Sequence, residues 1–147
     1  MNAKEIENGT KSGLDFAKLT KVFKSKINLR IMPVVVQNAK TKEVLFSAYV
    51  NKKALRYALK SKVATFWSTS RKKLWIKGVT SGDILELVKY PRVNCEQNSL
   101  LYLVRPVGKN KGVCHTKDKK GKARRSCYYR RIADDQFETL TFIKGRK

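Results

Sequence analysis

The chain has 147 residues, with 34 Lys and Arg against 11 Asp and Glu, and a net charge of +23. An apolar fraction of 41% is enough for one folded domain, which excludes global disorder despite the charge. The longest uncharged stretch, Ile31 to Ala39, is nine residues. A spanning helix needs about 20, so no membrane segment is expected.

Residues 1–13 read as a polar, disordered tail with Asn8-Gly9 and Ser12-Gly13 as breakers. Phe16, Leu19, Val22 and Phe23 have the spacing of a short amphipathic helix. The Val-rich run Pro33 to Gln37 predicts a strand, Thr41-Lys42 a turn, and Val44 to Val50 the partner strand of a hairpin. Asn51 is a helix N-cap, and Ala54, Leu55, Ala58 and Leu59 carry that helix to about Lys62. Strands are expected at Ala64–Ser68 and Leu74–Lys77, with a basic turn between them. A long strand is expected from Ile84 through Pro91 into Val93, and another from Leu100 to Val104. A Gly- and Lys-rich loop follows, then a strand over Cys127–Ile132 and a final one within Phe137–Ile143. Many strands and one main helix predict an α+β domain on a mostly antiparallel sheet.

Ten basic residues lie between Lys109 and Arg131 against one acid, Asp118. A solvated basic loop and a phosphate-binding loop both fit that run. The three cysteines are Cys95, Cys114 and Cys127, and the one histidine is His115. An odd thiol count is a poor start for a disulfide framework, so a reducing, cytoplasmic setting is expected. The cysteines lack paired C-x-x-C spacing. Three thiols on separate segments suit an open zinc site with three protein ligands, but each also fits a small buried hydrophobe. His115 beside Cys114 is suited to proton transfer near neutrality.

Two segments are more specific. One is Trp67-Ser68-x-Ser70-Arg71-x-x-Leu74-Trp75-x-Lys77-Gly78-x-Thr80-Ser81-Gly82. The other is Cys114-His115-Thr116, a basic loop, then Arg124-Arg125-Ser126-Cys127-Tyr128-Tyr129. With Ala48-Tyr49-Val50-Asn51 and the Pro33 strand, they resemble the phosphoribosyl-AMP cyclohydrolase family of histidine biosynthesis. The resemblance covers residues 14–132 and leaves 133–147 as a C-terminal extension. It implies an intertwined homodimer with one zinc site per subunit, shared so that Cys95 of one chain meets Cys114 and Cys127 of the other. It implies hydrolytic opening of the purine ring of N1-(5-phosphoribosyl)-AMP at the N1–C6 bond. His115 is then the proton carrier. Arg71, Lys77, Arg124 and Arg125 face the substrate's two phosphates. Ser68, Ser70, Thr80 and Ser81 add hydroxyls, though each also fits ordinary turn chemistry, and Gly82 permits close backbone approach. Trp75 belongs to the same surface, yet both it and Trp67 read first as sheet packing.

Three departures stand out. The family's Asp-Cys-Asp-x-Asp, which holds magnesium, is here Asn94-Cys95-Glu96-Gln97-Asn98. Magnesium favours carboxylate oxygens, so this degenerate site is expected to bind it weakly or not at all. Val79 and Asp83 replace a glutamate and a histidine, and the loop between Cys114 and Cys127 is longer and more basic than usual. Two alternatives therefore stand beside the leading reading: a zinc hydrolase acting on another modified purine nucleotide, and a basic nucleic-acid-binding relative without activity.

Overall fold

The computed structural model describes residues 1–14 and 30–147. The helix expected around Phe16 to Phe23 lies outside the described residues. Strand β1 (Met32–Asn38) pairs antiparallel with β2 (Val44–Val50), with a bulge at Val36/Gln37. Asn38 makes the connecting turn, its Oδ1 accepting from the backbone N–H groups of Lys40 and Thr41. Val34 and Val36 point inward and Val35 outward, the period-two alternation that the sequence predicts.

Helix α2 (Lys52–Ser61) follows directly. Asn51 Oδ1 accepts from Ala54 N at 2.8 Å, and Lys62 closes the helix in the left-handed region. Ala54 and Ala58 are fully buried on its inner face. Their small side chains let the helix lie against the hairpin of β3 (Thr65–Ser68) and β4 (Lys73–Ile76).

Strands β5 (Leu85–Leu87), β6 (Arg92–Val93) and β7 (Leu100–Pro106) complete the main sheet, in the order β2-β1-β7-β5 with β6 also on β7. Among the described residues, the β1–β7 pair alone is parallel. The long strand expected from Ile84 to Val93 is two short ones. Val88 N still reaches Leu103 O at 3.0 Å, but Pro91 has no N–H to offer the ladder and the intervening residues leave it. Phe66 is the aromatic centre of the core, 5.3 Å from Phe46, 5.2 Å from Trp75 and 5.6 Å from Tyr102 between ring centroids. Its burial is worth about 1.5–3 kcal/mol.

The termini differ most from expectation. The N-terminal residues form helix α1 (Ala3–Asn8), closed at its start by a reciprocal capping box of Asn2 and Glu5. Lys11 then bridges to Thr139, beside β9 (Leu140–Phe142), which pairs with β8 (Arg130–Ile132). The strand expected over Cys127–Ile132 begins only at Arg130, because Cys127 N is turned to Leu45 O of β2. No helix among the described residues is long and apolar enough to cross a membrane.

Candidate active site

The β3–β4 hairpin and the segments around Cys114 and Cys127 enclose a cavity of about 330 Å³. On the hairpin side, Ser68 Oγ accepts from Arg71 N at 3.2 Å and Arg71 Nε at 3.3 Å, and Ser70 Oγ lies 3.4 Å from it. Arg71 reaches the cavity, whereas Ser68 and Ser70 stand behind it. Strand β4 delivers Trp75 to the cavity wall and then the buried Lys77. Lys77 Nζ donates to Asp83 O at 3.0 Å across the turn that carries Thr80 and Ser81. Gly78 makes that turn with φ of +85°, and a Cβ there would overlap the Asp83 backbone. Gly82 continues the turn, its N–H on Gly78 O, but does not line the cavity.

On the other side, the basic stretch is a compact excursion. Val113 N and Cys114 N both donate to Arg124 O, Arg124 N returns to Thr116 O, and Lys117 bridges Ala123. Asp118 ties the tip through the N–H groups of Lys120 and Lys122. This brings Cys114 beside Cys127, the latter anchored by Cys127 N on Leu45 O and by Ser126 Oγ on Val44 O. Cys114 is buried, and its Sγ lies 3.0 Å from Thr116 Oγ1.

The two thiols line the cavity as neighbours whose protonation is linked, and their environments part them. The Cys127 thiol, with Thr116 also donating, pulls the Cys114 thiol down to about 5 against the opposing effect of burial. Its neighbour Cys114, together with burial, holds the Cys127 thiol well above its usual value. The pair thus favours the thiolate on Cys114 and the thiol on Cys127. Burial lowers the Lys77 ammonium, opposed by Asp83, Cys127 and Cys114. His115 sits at the cavity rim with its side chain 81% exposed, Nε2 3.1 Å from Glu7 Oε1.

Arg71, Trp75, Lys77, Thr80, Ser81, Cys114, His115 and Cys127 thus meet at one cavity. Arg125 does not line it and pairs with Glu43 at 3.2 Å. Arg124 is buried with its guanidinium 4.1 Å over the Tyr129 ring, donating to Arg146 O and Asn8 Oδ1. It joins the chain ends, where the sequence reading has it binding phosphate. Cys95 lies on the exposed turn between β6 and β7. Among the described residues, no group of three His, Cys, Asp or Glu stands close enough within one chain to hold a metal.

The degenerate magnesium residues bond to one another on that same turn. Asn94 Oδ1 accepts from Asn98 N and Ser99 N, Asn94 Nδ2 donates to Asn98 Oδ1 at 2.6 Å, and Asn98 Nδ2 donates to Glu96 at 3.2 Å. Amides that close a turn in this way do not fit a hard octahedral cation. The sequence reading missed the cavity-lining Lys117 and Phe46, and Glu7 beside His115. Lys117, three residues after Cys114, belongs to the basic run, and nothing in the sequence sets it apart from the other cations there. Phe46 and Glu7 carry no local signal.

The model of the phosphoribosyl-AMP cyclohydrolase family matches residues 46–129. The chain belongs to this family. It is 44% identical over 106 residues to the phosphoribosyl-AMP cyclohydrolase of Archaeoglobus fulgidus, covering 72% of this chain and 89% of that protein. The Methanosarcina acetivorans enzyme of the same name is 47% identical over 98 residues, 67% of this chain and 73% of the relative. That of Roseobacter denitrificans is 37% identical over 110 residues, 75% and 78%. The chain is therefore an enzyme of the cyclohydrolase type. Helix α1 and strands β1, β8 and β9 lie outside the residues that the family model matches.

Proposed function

We propose that this chain is a zinc-dependent phosphoribosyl-AMP cyclohydrolase of histidine biosynthesis, working as a homodimer. The observation that carries the reading is that Cys114 and Cys127 line one cavity together with His115, Lys77 and Arg71. Thiolates are zinc ligands, and the pair fits that role. Cys95 of the partner subunit supplies the third ligand, which accounts for its place on an exposed turn away from the other two. When bound, the zinc supplies Lewis acidity and activates water near neutral pH.

The chain's own side chains do the rest. Arg71 and Lys77 bind phosphate oxygens, with hydroxyl donors from Thr80 and Ser81. The Phe46 and Trp75 wall takes the purine and keeps water from its face. His115 moves the proton at a ring nitrogen. Water's oxygen ends on C6 as the carboxamide carbonyl and the N1–C6 bond breaks; of water's two protons one ends on N1, and the other is released to solvent as the N1-substituted ring loses its positive charge. Asn94, Glu96 and Asn98 do not fit magnesium, and no step is assigned to it.

One observation favours a second reading, a different modified purine nucleotide as substrate. Val79 and Asp83, which replace the usual glutamate and histidine, both line the cavity. Turnover of phosphoribosyl-AMP by zinc-loaded protein tests both. Turnover that is lost together with zinc in Cys114→Ser supports the proposal. Zinc binding without turnover moves the substrate, and full activity of Cys114→Ser overturns the zinc site.

A further inference from the structure

We infer that Glu7 is a positioning residue for His115, held in place by Tyr129 and Arg130. The inference rests on the proposed reaction, in which His115 carries the proton. Glu7 Oε1 lies 3.1 Å from His115 Nε2, and among the described residues it is the imidazole's one hydrogen-bond partner. An exposed imidazole without a partner samples several rotamers, and fixing one in advance is a contribution to rate.

Surface ion pairs are ordinarily weak, because both side chains must be ordered. Here the backbone of one partner is already fixed. Tyr129 Oη donates to Glu7 O at 2.5 Å. Arg130 donates to Ile6 O at 2.6 Å and to Gly9 O at 2.7 Å. These carbonyls lie at the C-terminal end of α1, where helical acceptors lack internal donors. Tyr129 is buried, with the Arg124 guanidinium 4.1 Å and the Arg130 guanidinium 4.9 Å from its ring. Ser12 N donates to Glu138 O at 2.7 Å, and Leu140 N donates to Thr10 O. The two ends of the chain thus clamp each other, and α1 is placed by both.

The geometry also spans the thiol pair. Tyr129 is two residues beyond Cys127, and His115 directly follows Cys114. Glu7 touches both, its carbonyl on one and its carboxylate on the other. A carboxylate only accepts, so the shared proton sits on Nε2.

Glu7→Ala should lower kcat about fivefold with KM held, on the scale of one oriented charged contact. Glu7→Gln, which can still accept from Nε2–H, should recover most of that loss. In a His115→Ala background, Glu7→Ala should change nothing further, because the residue acts through the imidazole. His115 is the chain's one histidine, so its imidazole gives one signal set in a proton–nitrogen NMR correlation spectrum. That spectrum should show the proton on Nε2 in the wild type and a changed pattern in Glu7→Ala. Wild-type kcat in Glu7→Ala, an undiminished loss in the His115→Ala background, or an unchanged imidazole spectrum would each overturn the inference. If the wild type fails to turn over phosphoribosyl-AMP, the functional reading falls, and the spectrum still decides whether Glu7 holds the ring.

Discussion

Ser68 Oγ takes both the backbone N–H and the Nε–H of Arg71, at 3.2 and 3.3 Å, so one hydroxyl shapes the turn and aims the guanidinium at the cavity. Ser68 does not itself line the cavity and instead orients Arg71, which does. Ser68→Ala should raise KM for phosphoribosyl-AMP about fivefold with kcat little changed, the scale of one lost hydrogen bond of about 1 kcal/mol. Steady-state kinetics checks this. A fall in kcat with unchanged KM would give Ser68 a role in the reacting centre.

The Cys114 thiol titrates near 5 in the folded metal-free protein, against 9.0 for the free side chain. A pKa lowered by folding adds stability that is complete above the unfolded value and is lost as pH falls through the folded one. Metal-free protein should therefore lose stability as pH drops from 9 towards 5, and gain no further loss from this group below it. Ultraviolet thiolate absorbance should show one ionisation with a midpoint near pH 5. Removing the donor in Cys127→Ala should move that midpoint upward. A first ionisation only above neutrality would show that the pair does not share its proton in this way.

If sites are shared across a two-fold dimer, single variants on opposite sides of one site should complement. Cys95→Ser and Cys114→Ser should each be inactive alone. Mixed, unfolded and refolded together, they should recover about a quarter of wild-type activity, because half the dimers are mixed and each carries one intact site. No recovery would place all three cysteines in one chain.

The turn at Asn94 offers a metal test with a structural readout. Asn94→Asp with Asn98→Asp puts two carboxylates where a 2.6 Å amide hydrogen bond now stands. The melting temperature should fall by about 4 °C, the scale of roughly 1 kcal/mol in a domain of this size, and magnesium should restore it. The same concentration of magnesium should leave wild-type melting and turnover unchanged. A magnesium effect on the wild type would show that the amides still hold the ion.

Much of the fold was legible because burial imposes a period. The alternation of Val34, Val35 and Val36, and the Asn51 cap ahead of Ala54 and Ala58, are local signals with local causes. Cys127 shows the limit. Its apolar and aromatic neighbours read as strand, but its N–H bonds to Leu45 across the fold, and the ladder starts three residues later. The N-terminal segment shows it more sharply. Asn8-Gly9 reads as a break in a polar tail, yet Tyr129 and Arg130, more than a hundred residues on, supply the donors that fix it as α1.

The sequence alone determined the α+β class, the family and the amides that stand where the family has carboxylates. Those follow from residue type and spacing, which need no partner in space. Only the tertiary structure decided which of the four cations expected at the site line the cavity. Arg71 and Lys77 reach it, while Arg125 is paired with Glu43 and Arg124 is buried against Tyr129. Composition counts all four alike. Their roles separate through long-range contacts, because a guanidinium or ammonium group takes the nearest acceptors and rings that the folded chain presents.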